Sequence, residues 1–196
     1  MLVKEFMTPN PITVTPGKRA DETLDLMKNL NFRQCPVVEG GKLIGIVTDR
    51  GIRESLGKGN EVKVSDVMTK DPITILDYAS VEGAAEIIRS GKFNALPVVT
   101  NKGELVGILT VTDLLEALLR LLGFHEKPQR LEVQMPEGMG LFDVLQIIQT
   151  SSGKVLSFSA APENRKLYYF WVVNCNFGEV EKALRKLDTK ISTIHS

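Results

Sequence analysis

Residues 107–113 read Gly-Ile-Leu-Thr-Val-Thr-Asp. Three of these side chains can do chemistry: Thr110, Thr112 and Asp113. They follow an apolar run (Leu105, Val106, Ile108, Leu109) and precede a leucine-rich one, so they belong where a strand ends and a helix begins. Unpaired backbone N–H groups and the positive end of the helix dipole meet at such a corner. A carboxylate among hydroxyls can accept both hydroxyls of a ribose there and leave the N–H groups for phosphate. The same residues also read as an ordinary helix N-cap, so the motif alone supports both.

The segment is one part of an internal repeat. Met7-Thr8 recurs as Met68-Thr69, and Pro11-Ile12-Thr13-Val14 as Pro72-Ile73-Thr74-Ile75. Pro36-Val37-Val38 recurs as Pro97-Val98-Val99, again 61 residues on. Gly45-Ile46-Val47-Thr48 returns 62 residues on as Gly107-Ile108-Leu109-Thr110, so the second copy has one extra turn residue.

Each copy must position its corner with the same elements. A short strand (12–14 or 73–76) leads to a helix with apolar residues at helical spacing. These are Ala20, Leu24, Met27 and Leu30 in one copy, and Val81, Ala84, Ala85, Ile87 and Ile88 in the other. A buried strand (36–38 or 97–99), a glycine turn (39–41 or 101–103) and a second strand (43–47 or 105–109) follow, and then the final helix. One β-α-β-β-α unit cannot cover its own sheet, so the two copies are expected to pack about a pseudo-twofold axis. Residues 57–61 read as the linker between them. Residues 114–122 carry more leucine than a small domain can bury. They fit either a buried helix or a homodimer interface.

The pattern changes after a hinge at 123–129. A strand at 131–135, a turn at 136–140 and a helix at 141–149 come first. A hairpin (155–160 and 167–173) follows, its loop held by Ala161, Pro162, Glu163 and Asn164. An amphipathic helix at 177–187 (Val180, Ala183, Leu184, Leu187) and a strand at 191–194 complete a ferredoxin-like βαββαβ order. Strand 167–173 is apolar on both faces, which implies a partner on the side without helices. The expected class is mixed α/β (α+β).

Composition excludes several functions. Lys plus Arg and Asp plus Glu balance at 24 each, so no net field draws nucleic acid or an anionic membrane. Residues 1–6 contain no signal-peptide core, and Glu116 and Arg120 interrupt a leucine run too short to span a bilayer. Cys35 and Cys175 have no pairing motif and read as free thiols of a cytoplasmic protein. His125 and His195 lack partners for metal or triad chemistry. No phosphate-cradling glycine motif of a nucleotide-hydrolysing enzyme appears. An enzyme is not expected, nor is a resident metal or cofactor.

The doubled motifs M-T-x-x-P-I-T-V/I, P-V-V and G-h-h-T…D resemble a tandem CBS-domain pair, or Bateman module, over residues 3–122. From residue 130 the element order and the turn at 137–141 resemble an ACT domain, although Met139 stands where that family has proline. The combination resembles the acetoin-utilization protein B group. The expected division is CBS repeats at 1–60 and 61–122, a linker at 123–129 and an ACT-like domain at 130–196.

The resemblance implies binding of an adenosine nucleotide (AMP, ADP or ATP) in a cleft between the repeats. The ribose motif is complete in the second copy as Gly107, Thr110 and Asp113. In the first copy Gly51 stands where the carboxylate belongs, so one competent and one degenerate cleft are expected. By the same resemblance Ile12, Thr13 and Val14 would flank the adenine, and Arg33 and Arg50 would meet phosphate through their forked donors. The corresponding Asn94 and Thr112 carry no charge. Glu137, Gly138, Gly140 and Leu141 would receive an amino-acid effector at the ACT turn, unless that domain serves dimerisation alone. The expectation is a non-enzymatic allosteric sensor, a homodimer through the CBS helices and the ACT sheet, acting on an unidentified regulated protein. The alternatives are an oligomerisation and docking protein without a nucleotide, or an S-adenosylmethionine sensor.

Overall fold

The computed structural model describes residues 1–56, 61–187 and 189–194. Most of the expected linker (57–60) and His195 lie outside the described residues. The chain divides into two compact units, Met1–Ala117 and Leu118–Ser196. The division falls within a helix, a turn earlier than the expected hinge.

The first unit contains both repeats. Its elements are β1 (Thr8–Pro9), α1 (Ala20–Asn29), β2 (Gln34–Glu39), β3 (Lys42–Thr48), α2 (Asp49–Leu56), α3 (Val64–Val67) and β4 (Thr69–Lys70), then β5 (Ile75–Leu76), α4 (Val81–Gly91), β6 (Ala95–Val99), β7 (Leu105–Thr110) and α5 (Val111–Leu121). Ala20, Leu24 and Met27 of α1 are buried against Cys35, Val37 and Val47 of the first sheet. Ala84 and Ile88 of α4 pack on Leu96, Val98 and Leu109 of the second. Leu30 is exposed instead, because α1 ends at Asn29 and Leu30 is its C-cap.

The sheets exchange their first strands. β1, at the start of the first repeat, pairs antiparallel with β7 of the second, Thr8 opposite Ile108 and Pro9 opposite Gly107. β4, which opens the second repeat, pairs with β3 of the first, Gly45 opposite Lys70 and Ile46 opposite Thr69. The strand orders are β1-β7-β6-β5 and β2-β3-β4. This exchange accounts for two sequence motifs together. A Cβ built on Gly107 would lie 2.3 Å from Met7 Sδ and 3.2 Å from the Thr8 carbonyl oxygen. At Gly45 it would lie 2.7 Å from Met68 Sδ and 3.0 Å from the Thr69 carbonyl oxygen. The glycine of each G-h-h-T motif is thus the seat of the other repeat's Met-Thr.

Gly107→Ala is therefore expected to cost about 1–3 kcal/mol, as overpacking does, and to lower the melting temperature by several degrees. Met7→Ala in the same chain should recover part of that loss. Calorimetric melting of both single variants and the double variant checks it. Strictly additive losses would mean that Met7 and Gly107 are not in contact.

The second unit has β8 (Gln129–Gln134), α6 (Leu141–Thr150), β9 (Lys154–Ala161), β10 (Asn164–Val173), α7 (Phe177–Arg185) and β11 (Lys190–Ile194). Its sheet, in the order β11-β8-β10-β9, is antiparallel throughout. This is the expected ferredoxin-like arrangement. Leu131, Val133, Val144, Ile148, Phe170, Val172, Val180 and Leu184 form its core. Leu187 is exposed, since α7 ends at Arg185.

The sheet face without helices is partly filled from within the unit. Trp171 has Phe124 at 6.4 Å and Tyr169 at 6.5 Å between ring centroids, and the Arg130 guanidinium lies 5.1 Å from the Tyr169 ring centre. The second apolar face of β10 is thus partly covered from within the unit, with Tyr169 and Trp171 still half-buried.

Candidate functional site

Thr110 ends β7 and Asp113 lies in the first turn of α5. The Asp113 Oδ2 accepts the Thr110 N–H at 2.7 Å and the Thr110 hydroxyl at 2.8 Å. The Asp113 N–H in turn donates to Thr110 Oγ1 at 3.3 Å. This is the reciprocal logic of a capping box, with Thr110 as the cap and Asp113 three residues on. Asp113 is thus not itself the N-cap. Its Oδ1 accepts no hydrogen bond among the described residues. One oxygen fixes the carboxylate and the other is left as an acceptor, so the capping and ligand readings are compatible. Thr112 is exposed and has no hydrogen bond to this pair.

The first repeat builds the same corner without the acid. The Gly51 N–H donates to Thr48 Oγ1 at 3.0 Å. A Cβ at Gly51 would lie 3.2 Å from that oxygen, a tight approach to a rotatable hydroxyl. The Asp49 carboxylate is held at 3.2 Å by Arg53.

A repeated backbone bond sets the basic residues. The Asp49 N–H donates to the Arg33 carbonyl at 3.0 Å, as Val111 does to Asn94 at 3.2 Å. Arg33 and the neighbour of Asp49, Arg50, therefore share the first repeat's corner. Both side chains are exposed. Arg50 lies 2.7 Å from Glu54, with its side chain 86% exposed. A bridge so exposed holds the guanidinium only weakly. Arg33 has no ion pair among the described residues.

Residues 12–14 are not a regular strand. Only Val14 is buried and bridged, to Val37, with its N–H on the Pro36 carbonyl and its carbonyl receiving the Val38 N–H. Thr13 is exposed and Ile12 is 45% exposed. Cys35 ties this segment down by donating to the Ile12 carbonyl at 3.3 Å. Burial pushes that thiol up to about 12, so at neutral pH it keeps the proton it donates. The Asn10 N–H is on the Val106 carbonyl of β7, and four residues later Val14 is on β2. Four extended residues span at most about 14 Å. Ile12 and Thr13 thus cross between the two sheets over a distance of nucleotide size.

Two residues escaped the sequence reading. Thr8 is exposed on β1, opposite Ile108 and close in register to Thr110. Its signal was the Met-Thr repeat, whose strand exchange could not be inferred. Gln34, beside Arg33 and opposite Thr48 in the ladder, has a buried Oε1 with no partner. It offers an acceptor that its counterpart Ala95 cannot.

At the turn 136–140, Gly138 has φ +84° and needs glycine, whereas Gly140 is extended. The Gly140 N–H already donates to Asp143 Oδ2 at 2.8 Å, and Glu137 faces Lys166 at 3.4 Å. An acid therefore caps the α6 N-terminus at Leu141, where an effector carboxylate was expected. No group of three or more His, Cys, Asp and Glu among the described residues is placed to hold a metal ion. No helix among them is long and apolar enough to cross a membrane.

Comparison with known proteins places these corners in a family. Among curated relatives, the chain is 36% identical to inosine-5'-monophosphate dehydrogenase of Korarchaeum cryptofilum over 110 residues, covering 56% of this chain but 23% of that enzyme. It is 36% identical to a CBS domain-containing protein of Dictyostelium discoideum over 140 residues, covering 62% of this chain and 94% of that protein. The chain thus spans about a quarter of the dehydrogenase, and the match lies in CBS repeats rather than in catalytic parts.

Among solved structures, the Arabidopsis thaliana CBS-pair protein CBSX2 in complex with AMP aligns with a TM-score of 0.55 and 32% identity, covering 61% of this chain and 96% of that one. The CBS pair of protein MJ0100, in complex with 5'-methylthioadenosine and S-adenosyl-L-methionine, aligns at 0.56 and 28%, covering 60% and 95%. The Vibrio cholerae protein named for acetoin utilization, AcuB, aligns at 0.58 and 28%, covering 64% and 96%. The CBS-domain model itself matches residues 3–58 and 64–120, both repeats in full view of the corners described above. The chain belongs to the CBS-domain family.

Proposed function

We propose that this chain is a non-enzymatic sensor that binds one adenosine nucleotide between its CBS repeats. Thr110 and Asp113 take the ribose hydroxyls. Arg33 and Arg50 take the phosphate, and Ile12, Thr13 and Val14 line the base. The observation that carries this reading is the Thr110–Asp113 pair, whose carboxylate is fixed through one oxygen and leaves the other as an acceptor. The AMP complex of CBSX2 supports the ligand class. The two arginines favour AMP, ADP or ATP over the sulfonium of S-adenosylmethionine, which MJ0100 binds. Binding redistributes conformations only through differential affinity, so the pair must have two arrangements that the nucleotide distinguishes.

Calorimetric titration with AMP, ATP and S-adenosylmethionine tests the proposal. One site per chain is expected for a phosphate-bearing ligand. Gly51→Asp should add a second, weaker site, because it places a carboxylate three residues after Thr48. No saturable heat from any of the three ligands would refute the sensor reading.

A second reading has its own observation. Val111, Leu115, Leu118, Leu119 and Leu121 of α5 are 40–56% exposed, a stripe suited to a homodimer. In this reading the ACT-like unit reinforces the dimer, the protein works in the cytoplasm, and an unidentified target reads the assembly. Likeness to AcuB makes acetoin use one setting for that target. A chain that sediments as a monomer at high concentration would remove this reading.

A further inference from the structure

Ile12 and Thr13 cross between the two sheets with few bonds of their own. At one end the Asn10 N–H is on the Val106 carbonyl at 3.1 Å, and at the other the Val14 N–H is on the Pro36 carbonyl at 3.1 Å. Between these ends the N–H of Ile12 and both backbone groups of Thr13 make no hydrogen bond among the described residues. One contact holds the middle of the crossing. The Cys35 thiol donates to the Ile12 carbonyl at 3.3 Å. The Pro36 carbonyl is farther from that sulfur, at 3.7 Å, and already takes the Val14 N–H. Cys35 is fully buried, so water does not compete for its proton. The Ile12 carbonyl and the Thr13 N–H belong to one planar trans peptide and point in opposite directions. Holding the carbonyl on the buried thiol therefore turns the Thr13 N–H away from Cys35 and fixes it there.

The second repeat lacks this clamp. Cys35 faces Val47 in the first ladder and Leu96 faces Leu109 in the second, so Leu96 is the counterpart of Cys35. Leucine has no proton to donate. The Ile73 carbonyl, counterpart of that of Ile12, accepts no hydrogen bond among the described residues. The clamp thus belongs to the repeat that carries Arg33 and Arg50, opposite the repeat that carries Asp113. Carboxylate, cations and clamp all single out the same cleft.

We propose that Cys35 is a positioning residue for base recognition, its thiol fixing the Ile12–Thr13 peptide so that the free backbone groups of Thr13 meet the base in one order. This rests on the nucleotide reading above. Cys35 touches no ligand and acts only through the segment it holds. Adenine presents an acceptor at N1 beside a donor at N6. Hypoxanthine presents a donor at N1 beside an acceptor at O6. A fixed N–H and C=O satisfy one of these orders and leave polar groups unpaired against the other. A crossing free to turn accepts either base, and binds both less well because it must first be ordered.

The test is calorimetric titration of the full chain with AMP and with inosine monophosphate, which share ribose and phosphate and differ only at the base edge. Wild type should prefer AMP by about tenfold or more. Cys35→Ala and Cys35→Val both lack the donor. Each should weaken AMP binding roughly two- to tenfold and shrink the preference for AMP. Cys35→Ser keeps a donor and should recover part of both. Valine is close to cysteine in size, so Cys35→Val remains informative if Cys35→Ala folds poorly. Val64→Ala is the control for a purely structural role. It loosens the same core without a bond to residues 12–14, so it should lower the melting temperature and leave the preference unchanged. Wild-type affinity and preference in Cys35→Val, or an equal change of preference in Val64→Ala, would overturn the positioning role and leave the nucleotide reading intact. Equal affinity of the wild type for both nucleotides would overturn it as well. A wild type that binds neither would refute the nucleotide reading and the positioning role with it.

Discussion

Asp113→Ala is expected to weaken nucleotide binding about ten- to a hundredfold. The removed oxygen would accept a ribose hydroxyl as a charge-assisted hydrogen bond, worth about 1.5–3 kcal/mol, and each 1.4 kcal/mol is a factor of ten. The same substitution removes the acceptor of the Thr110 N–H and hydroxyl. It should therefore also cost about 0.5–2 kcal/mol of stability, as lost caps do. The two effects separate cleanly. A domain stable by about 5–15 kcal/mol stays folded at 25 °C after that loss, so weaker binding there reports the site and not unfolding. Asp113→Asn sharpens the comparison, since it keeps an acceptor oxygen and the side-chain shape but loses the charge. Its affinity should fall between wild type and alanine. If alanine binds AMP as tightly as wild type while melting lower, Asp113 is a capping residue only.

The legible part of this fold was its periodicity. The 61-residue repeat, the helical spacing of Leu24 and Met27 or of Ala84 and Ile88, and the βαββαβ order all depend on local patterns, and the structure reproduces them. Leu30 and Leu187 were misread for a related reason. Helical spacing continues in the sequence after the helix has stopped, so a residue at the right interval still falls outside the packed turn. The strand exchange was invisible because β1 is two exposed residues with no alternation. Its partner lies about a hundred residues away. At the candidate site, residue types pointed to Thr110 and Asp113, but only the structure reveals that the carboxylate caps the helix through one oxygen and leaves the other as an acceptor. Gln34 could not be found from sequence at all. Its significance is a buried oxygen with nothing to bond, a property of what covers β2 and not of any motif.

The exchange also leads to the largest stability effect. Deleting residues 1–9 should unfold the second repeat, although every deleted residue belongs to the start of the first. Val3 is fully buried and packs in one cluster with Ile75, Ala84, Ile88, Leu96, Val98 and Leu109, with Phe6 and Met7 against its edge. Its N–H is on the Ala79 carbonyl at 2.9 Å, that of Lys4 is on Asp77 at 2.9 Å, and that of Val81 is on Met1 at 3.1 Å. Burial of the valine alone is worth about 1.5–3 kcal/mol. The cavity left in a core that only partly relaxes adds to this, as do the two-residue ladder with β7 and the contacts of Phe6 and Met7. The total is several kcal/mol, a large share of what a domain has. The first repeat's core contains no residue from this segment. It is closed instead by Val64, with Val67 and Met68 against it, from the start of the second. Amide hydrogen exchange on the truncated chain should therefore show protection lost in β6, β7 and α4 and kept in β2, β3 and α1. AMP binding should disappear with Asp113 still in place, because the corner that holds it rests on β7. Full protection of β6 and β7 after the deletion would mean that the amino-terminal segment decorates the second sheet without supporting it.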